Sequence, residues 1–185
     1  MPDQPRFMLV VSHQMENTPA FDRAAALAKA SGAALHIVAF DYLEGLASAG
    51  VVNDEAREQM RTDYVERHRQ WLETQARPLR KIGIPVTTEV VWVERPLQEI
   101  LIHIKEQPMA LLIKALEHES LLSRLMFTPL DIHLLRECPV PLHFVSQVQH
   151  DLPRRIVAAV DPFHRDGEYK NFNDRILHEA LKLAT

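Results

Sequence analysis

The stretch MALLIKALEHESLLSRLMFTPLDIHLLRECPVPLHFVS, Met109 to Ser146, decides the fold. Its first residues, MALLIKA, are a short continuous apolar run, the mark of a strand covered on both faces. TPLDIHLLREC then has Thr128 as N-cap, Pro129 at the first helical position and Asp131 three residues in, a capping-box-like helix start. VPLHFVS, Val140 to Ser146, is a second apolar strand. Strand, helix and strand in this order predict a βαβ unit with a right-handed crossover and a parallel sheet. Between Lys114 and Pro129 lies the strand-to-helix loop, where many α/β proteins bind phosphate through glycines that let the backbone come close. This loop contains no glycine.

The same alternation extends back to the amino terminus. FMLVVS, Phe7 to Ser12, and ALHIVAF, Ala34 to Phe40, read as buried strands. Between them a helix is capped by Thr18, opened by Pro19 and stopped by Gly32. DYLEGLASAGVVND reads as a loop. A long helix follows from about Asp54, its apolar side formed by Met60, Tyr64, Trp71, Leu72 and Leu79, and Pro78 is expected to kink or end it. VTTEVVWV, Val86 to Val93, is the third strand, and ERPLQEILIHIKEQ the third helix, with Pro96 in its first turn. Residues 1–146 thus make one α/β domain of five strands and four helices.

QVQHDLPRR begins a polar linker, residues 147–154, after which the pattern restarts. RIVAAVDP, Arg155 to Pro162, reads as another buried strand, and NFNDRILHEALKLAT as a helix. FMLVVS and IVAAVD each lead to a helix opening with Asp-Arg, at Asp22-Arg23 and Asp174-Arg175. This is an internal repeat with a period of about 150 residues, and residues 155–185 are the first β-α unit of a second, truncated copy. A lone strand and helix cannot bury a core, so the chain is expected to be a fragment of a longer tandem protein, or its tail must dock elsewhere.

Composition narrows the function. A net charge of -4 argues against nucleic acid as a partner. The apolar runs fall short of the roughly 20 residues a membrane span needs, and the amino terminus lacks a secretory pattern. The single cysteine, Cys138, forbids an internal disulfide and fits a reducing compartment, so the expected location is cytoplasmic.

The segments KIGIPVTTEVVW, ERPLQEIL and SLLSRLMFTPLDIHLLRECPVPLHFV resemble the universal stress protein family, across residues 7–146 and again from 155. The resemblance implies a Rossmann-like α/β fold, a five-stranded parallel sheet of order 3-2-1-4-5 sandwiched by helices. It also implies a crevice between the carboxyl ends of strands one and four, the switch point where ligands bind in open α/β sheets. ATP-binding members carry there Gly-x2-Gly-x9-Gly-(Ser/Thr) after strand four and an Asp ending strand one. In this chain the three glycine positions fall on Ala115, His118 and Thr128, the Ser/Thr position on Pro129, and the Asp position on Ser12. The spacing persists while each binding residue is replaced. Ala115 and His118 add side chains where phosphates would lie. Pro129 has no N–H to donate, and Glu117 and Glu119 place negative charge beside a polyanion, offset in part by Arg124 and Lys114. The degenerate loop is therefore expected not to bind ATP, and no cofactor is expected. Asp161 falls on the strand-one Asp position of the second copy, half of a nucleotide site, so the alternative is ATP held by a complete second domain.

The remaining candidates read as structural. Lys114 could neutralise an anion but is expected to snorkel into solvent. His133 and Glu137 stand at i,i+4, and His13 and His36 near strand ends, without HExxH or paired Cys/His spacing, so no metal is expected. No acid/base dyad and no GxSxG-like turn points to an enzyme. Val140 to Val145 is an edge strand that the resemblance implies for pairing, in a homodimer or with a tandem domain. The expected function is a non-enzymatic stress-response scaffold, with room for a small-molecule ligand in the crevice.

Overall fold

Apolar side chains alternate between two faces along each central strand, and that alternation sets the layers. In the computed structural model, which describes residues 4–11, 14–41, 54–116, 130–146, 155–161 and 171–184, five strands form one parallel sheet. They are β1 (Arg6–Val11), β2 (Ala34–Asp41), β3 (Val86–Trp92), β4 (Leu111–Ala115) and β5 (Leu142–Val145), in the order β3-β2-β1-β4-β5. This is the expected order 3-2-1-4-5. Five helices accompany them among the described residues: α1 (Pro19–Ser31), α2 (Asp54–Lys81), α3 (Pro96–Glu106), α4 (Leu130–Glu137) and α5 (Phe172–Ala184).

Phe7, Leu9 and Val11 of β1 point to one face, where Phe21 and Ala24 of α1 and Leu72 and Ala76 of α2 cover them. Met8 and Val10 point to the other, against Ile100 and Ile104 of α3 and Leu134 of α4. The sheet therefore buries both faces, the reason its strands read as unbroken apolar runs. At the end of α1, Gly32 takes the left-handed conformation (φ 65°) that a non-glycine residue adopts only with strain, and the N–H of Ala33 returns to the carbonyl of Ala28 at 2.9 Å. Thr18 occupies the N-cap position, but its hydroxyl makes no capping bond.

Three sequence expectations are corrected. Pro78 does not end α2, which continues to Lys81: Pro78 and Thr74, one turn before it, both lie on the exposed face, where a carbonyl that loses its helical partner is open to solvent. Met60 is exposed, so the buried stripe of α2 is only His68, Leu72 and Ala76. Residues 155–161 form no strand and are largely exposed, with Val157 at 92%. A strand needs a hydrogen-bonded neighbour, and no described segment of the unit His150–Thr185 forms one. In that unit, Asn173 of α5 bonds both backbone groups of Asp161, accepting from its N–H at 3.0 Å and donating to its carbonyl at 2.6 Å.

Candidate functional site

In a parallel sheet of this order the crevice opens where the connections leave in opposite directions, between the carboxyl ends of β1 and β4. β4 pairs with β1 from Phe7↔Leu111 to Val10↔Lys114, so Lys114 stands at the mouth of that crevice. The alternation that puts Ile113 and Ala115 on the α1–α2 face puts Lys114 on the α3–α4 face. There it is 4% exposed, not snorkelling. Its ammonium lies 3.0 Å from Asp131 Oδ1 in the first turn of α4 and donates to the Ala115 carbonyl at 3.1 Å. The ion-pair geometry is oblique, and Asp131 Oδ1 has no well-aligned hydrogen bond, so the pair is held by charge more than by direction. The carboxylate read from sequence as part of a helix cap is the counter-ion of a buried lysine.

Ala115 is the last residue of β4, buried at 6% and in register with Val145 of β5. Ser12, His118, Thr128 and Pro129 lie outside the described residues, as do Glu117, Glu119, Arg124 and His13. Asp161 is described, exposed, and tied to α5 through its backbone.

Beside the crevice, the carboxyl end of β2 carries a polar group that sequence reading missed. Asp41 accepts a short hydrogen bond from the Tyr64 hydroxyl of α2, and His68 Nε2 lies 3.7 Å from the same carboxylate oxygen. His68 is buried, with Nδ1 2.9 Å from the Tyr64 carbonyl and its ring 4.0 Å from the Tyr64 ring. Trp92 at the end of β3 meets Tyr64 edge-on at 5.3 Å. Tyr64 and His68 stand at i,i+4 on the helix, the one signal that could have linked them. This cluster anchors α2 to the strand ends.

Among the described residues no group of His, Cys, Asp and Glu could hold a metal ion. His133 and Glu137 do meet, at 3.3 Å, on the exposed side of α4. Burial pushes the Cys138 thiol up, away from the reactive thiolate. No helix among the described residues is long and apolar enough to cross a membrane.

A three-layer α/β sandwich with a switch-point crevice defines a Rossmann-like protein of the doubly-wound class. Within it, the chain belongs to the universal stress protein family, whose family model matches residues 5–146. Universal stress protein E of Salmonella typhi is 25% identical over 177 residues, which cover 96% of this chain and 56% of that protein. The chain thus spans just over half the length of the curated relatives it matches. A candidate universal stress protein from Pseudomonas aeruginosa UCBPP-PA14 superposes with a TM-score of 0.70 at 23% identity, over 98% of this chain and 58% of that one. A universal stress protein solved in complex with cAMP superposes at 0.51 with 13% identity, over 78% of this chain and 98% of that one.

Proposed function

We propose that this chain is a non-enzymatic stress-response protein, acting in the cytoplasm, whose first domain is a scaffold that does not hold nucleotide in the family's manner. One observation carries the reading: the lysine at the mouth of the crevice is buried and already neutralised by Asp131. A charge spent on an internal carboxylate is a poor receptor for a triphosphate carrying about four negative charges. The replaced glycine positions, Ala115 among them, point the same way. Isothermal calorimetry of the 185-residue chain with ATP, and separately with cAMP, is expected to show no binding at micromolar nucleotide; saturable micromolar binding of either would overturn the reading.

The second reading, an ATP-binding switch with nucleotide held by a second domain, is favoured by the matches that continue past residue 146 into much longer relatives and by the cAMP complex of a neighbour. On this reading residues 155–185 open that second domain and Asp161 contributes half of its site. In partner terms, the edge strand Val140 to Val145 pairs with a second copy or a tandem domain. Its β5 residues, Leu142–Val145, are each only half-buried at the end of the sheet. Small-angle scattering is expected to give about twice the monomer mass, and a monodisperse monomer would sink the pairing.

A further inference from the structure

At the other end of the sheet from the crevice, the α3 face carries a chain of polar groups drawn from four elements, in which two imidazoles are buried while Thr87 and Glu89 reach solvent. Arg6 of β1 donates to Gln107 Oε1 at 2.6 Å and to Thr87 Oγ1 of β3 at 3.1 Å. Thr87 Oγ1 lies 2.8 Å from Nδ1 of His36 on β2, and His36 Nε2 lies 3.2 Å from Glu89 Oε2 on β3, at an oblique angle. The other Glu89 oxygen is 3.5 Å from Nε2 of His103 on α3. His103 Nδ1 is 2.9 Å from the Glu99 carbonyl and 3.4 Å from the Glu99 carboxylate. His36 is 3% exposed and His103 8%. Two buried imidazoles therefore share one carboxylate.

Their surroundings are not equivalent. Thr87 already accepts from Arg6, so its own proton is free to go to His36 Nδ1, and the ring N–H of His36 then sits at Nε2, facing Glu89. That order works only for a neutral His36. A proton on Nδ1 would turn the Thr87 hydroxyl into a second acceptor there and would add a second cation near Arg6, on a ring that is only 3% exposed. Both nitrogens of His103, by contrast, face acceptors.

We infer that the Arg6–Thr87–His36–Glu89–His103 cluster is an acid-sensitive joint between β2, β3 and α3, which protonation of His36 loosens. Burial first, and then the Arg6 guanidinium, holds His36 below its ordinary value of 6.5, and these outweigh the opposing pull of Glu89. An unfolded chain therefore binds this proton at higher pH than the folded one, so stability is full above about 6.5 and is lost as pH falls below it. His143 of β5 is also depressed, by burial and then by Arg23, and adds its own loss in the same range. Glu73, held down to about 2 chiefly by hydrogen bonds from Arg80 and Thr88, begins to cost stability only below its ordinary 4.5.

Long-range proton–nitrogen NMR on the 185-residue chain at about pH 7.5, above the ordinary imidazole value, is expected to show His36 neutral with its proton on Nε2. An imidazolium or the Nδ1–H tautomer would overturn the inference. Urea midpoints from about pH 7.5 down to about 5.5, either side of that value, are expected to fall in the wild type and to fall distinctly less in His36→Gln. Equal falls in the two would also overturn it. Should His36→Gln fail to fold, the wild-type NMR titration decides: His36 must take its proton below 6.5, and a midpoint at or above that value refutes the joint.

Discussion

Asp131→Ala is expected to cost about 3–5 kcal/mol of unfolding free energy, the usual loss when one partner of a buried ion pair is removed. The reason lies in Lys114, 4% exposed, whose charge would then face the apolar α3–α4 layer with the carboxylate gone and the Ala115 carbonyl as a remaining acceptor. Lys114→Met is expected to cost somewhat less, because the Asp131 side chain keeps 15% of its surface in water. The double variant Lys114→Met/Asp131→Leu replaces the pair by apolar groups of similar size and is expected to recover most of the loss, since desolvating two charges consumes much of what their attraction gains. Urea unfolding at neutral pH of the wild type, Lys114→Met, Asp131→Leu and the double variant closes the cycle. A loss of under about 1 kcal/mol for Asp131→Ala would mean that the charge reaches solvent, and the scaffold reading of the crevice would lose its main support.

That pair also marks where the sequence is legible and where it is not. Strands with both faces buried announce themselves as apolar runs, so β1, β2 and β4 could be placed within a residue or two, and the loop spacing made the sheet order available by resemblance. Lys114 was misread because a lysine at a strand end ordinarily reaches water; only the parity of β4, which puts Lys114 in line with Leu112, shows that it points under α4. His36 obeys the same parity and shares its face with Thr87 and Glu89, yet the pairing needs the register Leu35↔Val86 through Asp41↔Trp92, which no local pattern encodes. Residues 155–161 failed for the opposite reason. Their composition suits a strand, but strand formation depends on a neighbour, and composition carries no record of one.

Leu72→Ala should have a comparably large effect, for a reason peculiar to α2. The helix runs over 28 residues from Asp54 to Lys81, but only His68, Leu72 and Ala76 along it are buried. Its outer side is stitched by exposed i,i+3 pairs such as Arg61–Glu58 and Arg69–Glu66, each worth only a few tenths of a kcal/mol. The fully buried stripe is therefore narrow, with Leu72, 0% exposed, as its one large aliphatic side chain, and partly buried Trp71 and Leu79 pack against the core beside it. Truncating it removes its transfer energy and leaves a cavity against the sheet, together about 2–5 kcal/mol. Met60, 48% exposed on the same helix, is the control: Met60→Ala should stay within about 0.5 kcal/mol of the wild type. Amide exchange adds a spatial readout. Protection should be highest from His68 to Ala76 and low toward Asp54, and Leu72→Ala should flatten that gradient, because a helix this polar keeps its structure through the stripe it buries. A loss below about 1 kcal/mol, well under the range for such truncations, would show that α2 is held instead by its end contacts, the Tyr64–Asp41 bond at one side and the Arg80–Glu73–Thr88 clasp at the other.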